Sequence, residues 1–458
     1  MPDRHISGTL SNLIKIVKPI IIENKIKSFS KVINVDSDKS ISIRWVLFAS
    51  QAVGKSTAYN LLMSEDVLSA LACLKKLGIK VILNKNKCEI YGNGINGFNY
   101  KKNIILNAGN SGTLGRLILP LLLKSPVKVK LLGDKSLSKR DFSRIISPLE
   151  QFGAEFFPKN KKNIPLQIKG SNFIRPINYL ENKGSAQCKS AVMLGAIHAP
   201  GITKIKAKKS RNHTENFFKN LNIPIKIKKN NKYDLIEVYG EKNFKSFNYK
   251  IPGDISSSAF FIVLTILLKN SNLIIKKINV NPTRDGIIRI LRKMGAKIFY
   301  KNVQIYKGEK IADIHVKSSK VIKPINCPPS LNSAAIDEFL IIFLVAAKAK
   351  GVSYFKNIEE LNEKESKRLN LGSKILNLMG VKTQLTKSSI KIYGQPNLQI
   401  KKKCVIKNFL GDHRIMAMCT IAGLSIGGKW EIHNPESINT SFPSFFKILK
   451  NKLGAEIN

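Results

Sequence analysis

The stretch Leu106–Arg116 reads LNAGNSGTLGR and runs straight into an apolar segment that ends at Leu123. Within that segment Leu114, Leu117, Ile118, Leu121 and Leu122 recur at the spacing of one helix face. The polar residues ahead of it therefore open a helix, with Asn110, Ser111 or Thr113 available as the cap. The glycines let backbone N–H groups come close to an anion, and the helix dipole favours negative charge at that end. Arg116 adds a forked cation one turn in. Taken singly this is an ordinary capped helix, but the chain builds the arrangement six times.

The repeat shows in the endings of a second set of helices. An amphipathic helix closing on Leu, Met or Phe, then glycine, then a short strand recurs around Gly78, Gly153, Gly295, Gly380 and Gly454. A variant without the glycine lies around Ile223, and neighbouring copies are 70 to 85 residues apart. Interleaved with them are helices apolar nearly all round, such as AFFIVLTILL and EFLIIFLVAA, which must be buried. Their starts fall near Ser40, Thr113, Lys189, Ser256, Asp337 and Asp412. A fixed period this long means one supersecondary unit repeated. Each unit reads as strand, polar turn, buried helix, strand, amphipathic helix, strand. Six units predict two domains of three, the chain crossing between them at Pro252-Gly253-Asp254.

Length and composition agree with that division. The chain has 458 residues, more than one core usually organises, and 43% are apolar, as in a soluble globular protein. The apolar runs are of buried-helix length, short of the roughly 18 residues of a membrane span. The opening MPDRHISGTLSNLIKIVKPI shows neither a signal-peptide core nor a transit pattern. Cys73, Cys88, Cys188, Cys327, Cys404 and Cys419 are scattered, without zinc spacing, and read as reduced thiols. These features predict a cytoplasmic protein that binds neither membrane nor metal. The net charge of +47 comes from lysines spread along the whole chain, with no arginine–aromatic interleaving of the stacking kind. It reads as lysine-biased solvated surface, with no specific nucleic-acid partner.

The residues opening the six buried helices carry the chemistry. They are Asp38-Lys39-Ser40 with Arg44, Asn110 to Thr113 with Arg116, and Ser185-Ala186-Gln187 with Lys189. Asp254 to Ser258, Ile336-Asp337-Glu338 and Gly411-Asp412-His413-Arg414 complete the set. Cations in the first turn run against the dipole preference, and such local conflict marks function. Parallel helices would aim several positive ends at one anion-rich site.

The ordered series DKSISIR, AGNSGTLGR, GSAQCKSAVMLGAIHAPG, SRNHTE, PGDISSSAFF, EELNEKESKRL and GDHRIMAM resembles the motifs of the 5-enolpyruvylshikimate-3-phosphate synthase family. The resemblance implies an α/β fold: a two-domain inverse α/β barrel of six βαβαββ units, three per domain. Its boundaries would be 38–252 for one domain and 1–37 plus 253–458 for the other. It implies a monomer that transfers the enolpyruvyl group of phosphoenolpyruvate to the 5-hydroxyl of shikimate 3-phosphate, with no cofactor.

Carried over residue by residue, the resemblance gives Lys39 contact with both substrates. Shikimate 3-phosphate would be held by Ser40, Arg44, Ser185, Ala186, Gln187, Ser210, Arg211 and Lys364. Phosphoenolpyruvate would be held by Gly112, Arg140, Gln187, Arg368 and Arg414. Asp337 would be the base on the hydroxyl and Glu365 the acid at the enol methylene. Addition needs one group that gives a proton and one that takes it, so two groups in opposite protonation states fit. Lys364 and Arg368 would sit one turn apart if KESKR is helical. Glyphosate would compete with phosphoenolpyruvate. Departures are Asp36-Ser37 ahead of the first lysine motif, Glu360 where some relatives have asparagine, and no lysine beside Thr440-Ser441-Phe442-Pro443.

Two rivals fit less well. Gly54-Lys55-Ser56-Thr57 lacks the glycine a phosphate-binding loop needs, having Ala49 there. The aminosugar enolpyruvyl transferase of the same fold has a catalytic cysteine loop, and Leu131 to Pro148 contains no cysteine.

Overall fold

In the computed structural model of the chain, which describes residues 18–84 and 87–458, the buried apolar side chains separate into two cores. One is drawn from residues 41–251, the other from residues 22–33 together with 255–457. The N-terminal stretch read above for targeting signals lies, in residues 1–17, outside the described part. No helix among the described residues is long and apolar enough to cross a membrane.

Six inner helices organise the cores: Lys39–Gln51, Gly112–Ile118, Ala186–Ala196, Ile255–Leu267, Phe339–Ala347 and His413–Ile426. Their sequences explain their place. Phe339–Ala347 is FLIIFLVAA and every residue is buried. Several hydroxyls in these helices donate to the helix's own carbonyls, as Ser258 Oγ to Asp254 O at 2.8 Å and Thr265 Oγ1 to Phe261 O at 2.8 Å. Outer helices such as Gly286–Lys293 bury one stripe only, marked by Ile287, Ile290 and Leu291.

Six sheets surround these helices among the described residues. The second unit shows the pattern. Ile105–Asn107 and Val129–Leu132, before and after the inner helix, are parallel neighbours. Leu166–Lys169 and then Glu155–Phe157 extend the sheet antiparallel. Three units do not keep their own strands. The first takes Asn248–Lys250 as its parallel edge, from beyond the third unit. The fourth takes Ser30–Ile33, and the sixth takes Ile20–Ile22, both from the start of the chain. Each core is thereby closed by strands from its own far end.

The chain passes between the cores twice, and the two passages bond to each other. Asp38 N donates to Pro252 O at 2.8 Å and Asp254 N to Asp36 O at 3.0 Å. Pro252-Gly253-Asp254 lies in the second passage, between Ile251 of the first core and Ile255 of the second.

Two local expectations are corrected. The apolar run after Gly112 is not one helix: Pro120, lacking an N–H, turns Leu119–Leu122 into a 3-10 segment. Asp337 does not open the fifth inner helix but lies in the turn between Asn332–Ala335 and Phe339–Ala347. Gly54-Lys55-Ser56-Thr57 lies in the strand Val53–Tyr59 and forms no loop.

The two tryptophans report one core each, Trp45 in the first and Trp430 in the second. Ile22, fully buried, pairs with Trp430 across the sixth sheet. Ile22→Ala should cost about 2–5 kcal/mol in the second core. In single-tryptophan backgrounds, the urea midpoint reported by Trp430 should fall while that reported by Trp45 stays. Equal shifts at both would mean the cores unfold as one body.

Candidate active site

The charged residues of the inner-helix starts meet between the two cores. Asp337 and Glu365, from the second core, face arginines of the first. Arg211 Nη1 lies 2.7 Å from Asp337 Oδ2, and Arg140 Nη1 lies 3.6 Å from Glu365 Oε1. Ser136 Oγ adds a bond across the same gap, donating to Glu365 O at 2.9 Å. From their own side, Lys364 Nζ lies 3.4 Å and Arg368 Nη1 3.6 Å from Asp337 Oδ1, and Arg368 Nη2 also contacts Glu365.

The local chain explains this convergence differently from the sequence reading. KESKR is not helical as a whole: the helix Arg368–Leu378 begins only at its arginine. Asn362 Oδ1 caps it by accepting from Leu369 N at 3.1 Å and Asn370 N at 3.4 Å. Lys364 therefore reaches Asp337 from extended chain. Arg368 is fixed from behind by Asp412, which accepts from its Nε at 2.8 Å while capping the last inner helix at Arg414 N, 3.0 Å. Removing one partner of so buried a pair typically costs about 3–5 kcal/mol, so Arg368 is held before anything binds.

Burial would raise both acidic side chains, but neighbouring cations win. Lys364, Arg211, Arg414 and Arg368 hold Asp337 well below the usual carboxylate range. Arg368 and Arg140, with Lys39, do the same to Glu365. Burial, helped by Lys39 and Arg414, holds the His413 imidazole well below its usual value, so it adds no charge at neutral pH. Burial pushes Arg116 down to about 10, with Arg140 beside it, and burial likewise brings Arg44 to about 10. Cations crowd this gap, which makes it an anion site.

The other named residues fall around the same gap. Lys39 Nζ pairs with buried Asp66 at 2.9 Å. Gln187 bridges inner helices, accepting from Arg116 Nη1 at 3.1 Å and donating to Thr113 Oγ1 at 3.1 Å. Gly112 lies where an added Cβ would stand 2.6 Å from Arg140 Nη1 and 2.8 Å from Arg116 Nη1. Ser111 caps that helix. Arg44 donates to Thr214 Oγ1 at 2.9 Å and Ser190 Oγ at 3.1 Å, one turn along from Ser40. Ser185 Oγ caps Ala186–Ala196, and Ser210 Oγ is buried beside Arg211. Lys189 turns away from the gap: it is fully buried and paired with Glu215 at 2.5 Å. Arg414 lies 3.9 Å from Glu338. At the rim, Arg144 joins Glu181 at 2.7 Å to Glu360 at 3.2 Å, giving Glu360 a partner across the gap. Among the described residues no group of His, Cys, Asp or Glu could hold a metal ion.

The profile of the family described as EPSP synthase (3-phosphoshikimate 1-carboxyvinyltransferase) matches residues 23–449. The chain belongs to the EPSP synthase family. A relative from Vesicomyosocius okutanii, named 3-phosphoshikimate 1-carboxyvinyltransferase, is 38% identical over 93% of this chain and 96% of its own. One of the same name from Bacillus cytotoxicus is 36% identical over 92% and 97%. The EPSP synthase structure from Acinetobacter baumannii superposes with a TM-score of 0.83 at 33% identity, covering 96% of this chain and 99% of that one. The fold is thus the family's two-domain inverse α/β barrel of six units.

Family motifs did not point to every residue that shapes this gap. Asp66, the partner of Lys39, and Arg284, which ties Asp254 to Ser256, came with no sequence signal. Near the C-terminus, Thr440 Oγ1 lies 3.4 Å from His413 Nδ1.

Proposed function

We propose that the chain transfers the enolpyruvyl group of phosphoenolpyruvate to the 5-hydroxyl of shikimate 3-phosphate, giving 5-enolpyruvylshikimate 3-phosphate and phosphate. The observation that carries the residue roles is the meeting of Asp337 and Glu365 with cations from both cores. The cores serve as two domains, 38–252 and 1–37 plus 253–458, closing over both substrates. The proposed setting is a cytoplasmic monomer acting on small molecules alone.

In this reading Lys364, Arg211, Arg44 and Ser40, with Ser185, Ala186, Gln187 and Ser210, take shikimate 3-phosphate. Arg140, Arg368 and Arg414, at the Gly112 turn, take phosphoenolpyruvate, whose carboxylate and phosphate suit forked donors. Lys39 reaches both. Asp337 removes the 5-hydroxyl proton as the oxygen bonds to C2 of the enol, and Glu365 delivers a proton to C3, making a methyl group. Loss of phosphate from C2 and of a proton from that methyl restores the double bond. Phosphate release from phosphoenolpyruvate should appear only when shikimate 3-phosphate is present; release without it, or none with it, would overturn the reading. Glu365→Gln or Asp337→Asn should each lower turnover at least ~10²-fold with the fold intact.

Glu365 poses a test of its own. As an acid it must hold a proton, yet Arg368 and Arg140 keep it ionised. Phosphoenolpyruvate would draw those two guanidiniums onto itself, leaving burial to raise the carboxyl. A pKa raised on binding means proton uptake, and affinity that grows as pH falls through the bound-state value toward the free-state one. Calorimetry of phosphoenolpyruvate binding without shikimate 3-phosphate, so that nothing turns over, should read proton uptake in buffers of different ionisation enthalpy. Glu365→Gln should abolish it.

Gly112→Ala would push on guanidinium tips of Arg140 and Arg116, which are flexible. Glyphosate, the longer of the two competing ligands, should lose far more affinity than phosphoenolpyruvate, because less room remains beside the displaced arginines. Inhibition and Michaelis constants measured in parallel decide it; equal losses would make Gly112 a backbone requirement only.

A further inference from the structure

The loop Asn281 to Asp285, which follows the strand Asn272–Asn279, sends one fully buried arginine into the double passage between the cores. Arg284 Nη2 donates to Asp254 Oδ1 at 3.2 Å and to Ser256 Oγ at 2.8 Å. Its Nη1 lies 3.7 Å from Asp38 Oδ2 and donates to Ser40 Oγ at 3.4 Å. Asp38 and Asp254 cap the first and fourth inner helices, accepting from Ile41 N at 2.9 Å and Ser256 N at 2.7 Å. Asp254 Oδ2 also accepts from the backbone N–H of Lys39 at 3.1 Å. Ser256 Oγ in turn donates to Glu338, beside Asp337. The same loop grips the first core a second time, Asn281 Nδ2 and Thr283 Oγ1 both donating to Asn212 Oδ1, next to Arg211.

Two buried carboxylates facing each other across the passage repel unless a cation lies between them, and Arg284 is that cation. Its fork spans both caps at once, which a single ammonium could not do. One side chain of the second core thus sets where Lys39 and Ser40 of the first begin, while reaching Glu338 through one hydroxyl.

We propose that Arg284 is a positioning residue for the transfer reaction: through Asp38, Asp254 and Ser256 it fixes Lys39 relative to the Asp337–Glu338 turn. It touches neither substrate and acts only through those neighbours. The inference rests on the proposed roles of Lys39 and Asp337.

The test pairs kinetics with hydrogen exchange on the full chain. Arg284→Gln should lower kcat/KM about 10²-fold, the scale of a slight misplacement of reacting groups. Amides at 38–44 and 254–258 should exchange faster, those of Ser143–Phe152 unchanged. Arg284→Lys, which keeps the charge, should recover part of both. Lys39→Met with Arg284→Gln should lose no more than Lys39→Met alone, because the two act as one unit. Should Asp38 and Asp254 without a cation keep Arg284→Gln from folding, Arg284→Lys carries the same readouts. Folded variants with unchanged kcat and KM, additive losses with Lys39→Met, or unchanged exchange at 38–44 would each overturn the proposal. A parent protein that releases no phosphate from the substrate pair sinks the proposed reaction instead, and exchange at 38–44 still reports whether Arg284 holds Lys39.

Discussion

Guanidinium and ammonium groups at the positive ends of buried helices are the constraint on which this molecule turns. Lys39, Arg116 and Arg414 stand in the first turn or two of inner helices, where the dipole disfavours them. The protein tolerates them by giving each an acidic or carbonyl partner: Asp66 for Lys39, Gln187 and Asp141 O for Arg116, Glu338 for Arg414. Those partners lie on other segments of the same core, while Arg211 and Arg140 of the first core pair with Asp337 and Glu365 of the second. The charge that suits an anionic substrate therefore also decides how the two cores face each other.

Topology makes that facing reproducible. Because strands from the chain's start complete the fourth and sixth sheets, the second core is not a simple run of sequence. The two passages are bonded together at Asp38–Pro252 and Asp254–Asp36, so they form a short double connection in place of two loose linkers. A double connection restricts the cores to motions that keep the helix starts near one another. Asp38 and Asp254 make those passages part of the helix caps, so any rotation of the cores is felt at Lys39.

Much of this was legible before any coordinates. The all-round apolarity of segments such as FLIIFLVAA marked the inner helices, and the Asp at 38, 254 and 412 marked their caps. The double use of those caps could not be read. That Asp412 also holds Arg368, or that Asp254 also accepts from Lys39, depends on contacts between residues 44 and 215 positions apart. Pro120 was in plain view, and a local rule would have ended the second inner helix there. Lys189 misled because helix periodicity places a residue on a face without saying which neighbour, here Glu215, waits beneath it. The borrowed strands were invisible for a topological reason: a period in sequence does not say which copy supplies an edge.

The arrangement of partners around the two carboxylates carries one step further. Asp337 is held down chiefly by Lys364 and Arg211, which the proposed reading gives to shikimate 3-phosphate. Glu365 is held down chiefly by Arg368 and Arg140, which it gives to phosphoenolpyruvate. In that reading each substrate would draw off the cations restraining one of the two groups. Shikimate 3-phosphate would restore basicity to Asp337, and phosphoenolpyruvate would let Glu365 take up its proton. Neither substrate alone prepares both groups, and addition needs both in one encounter. Bound alone, phosphoenolpyruvate would then meet a protonated Glu365 but a base still clamped by Lys364 and Arg211, leaving water unactivated against it. On the proposed roles, the ion pairs that close the gap between the cores would double as the restraint that keeps the reaction specific to its second substrate.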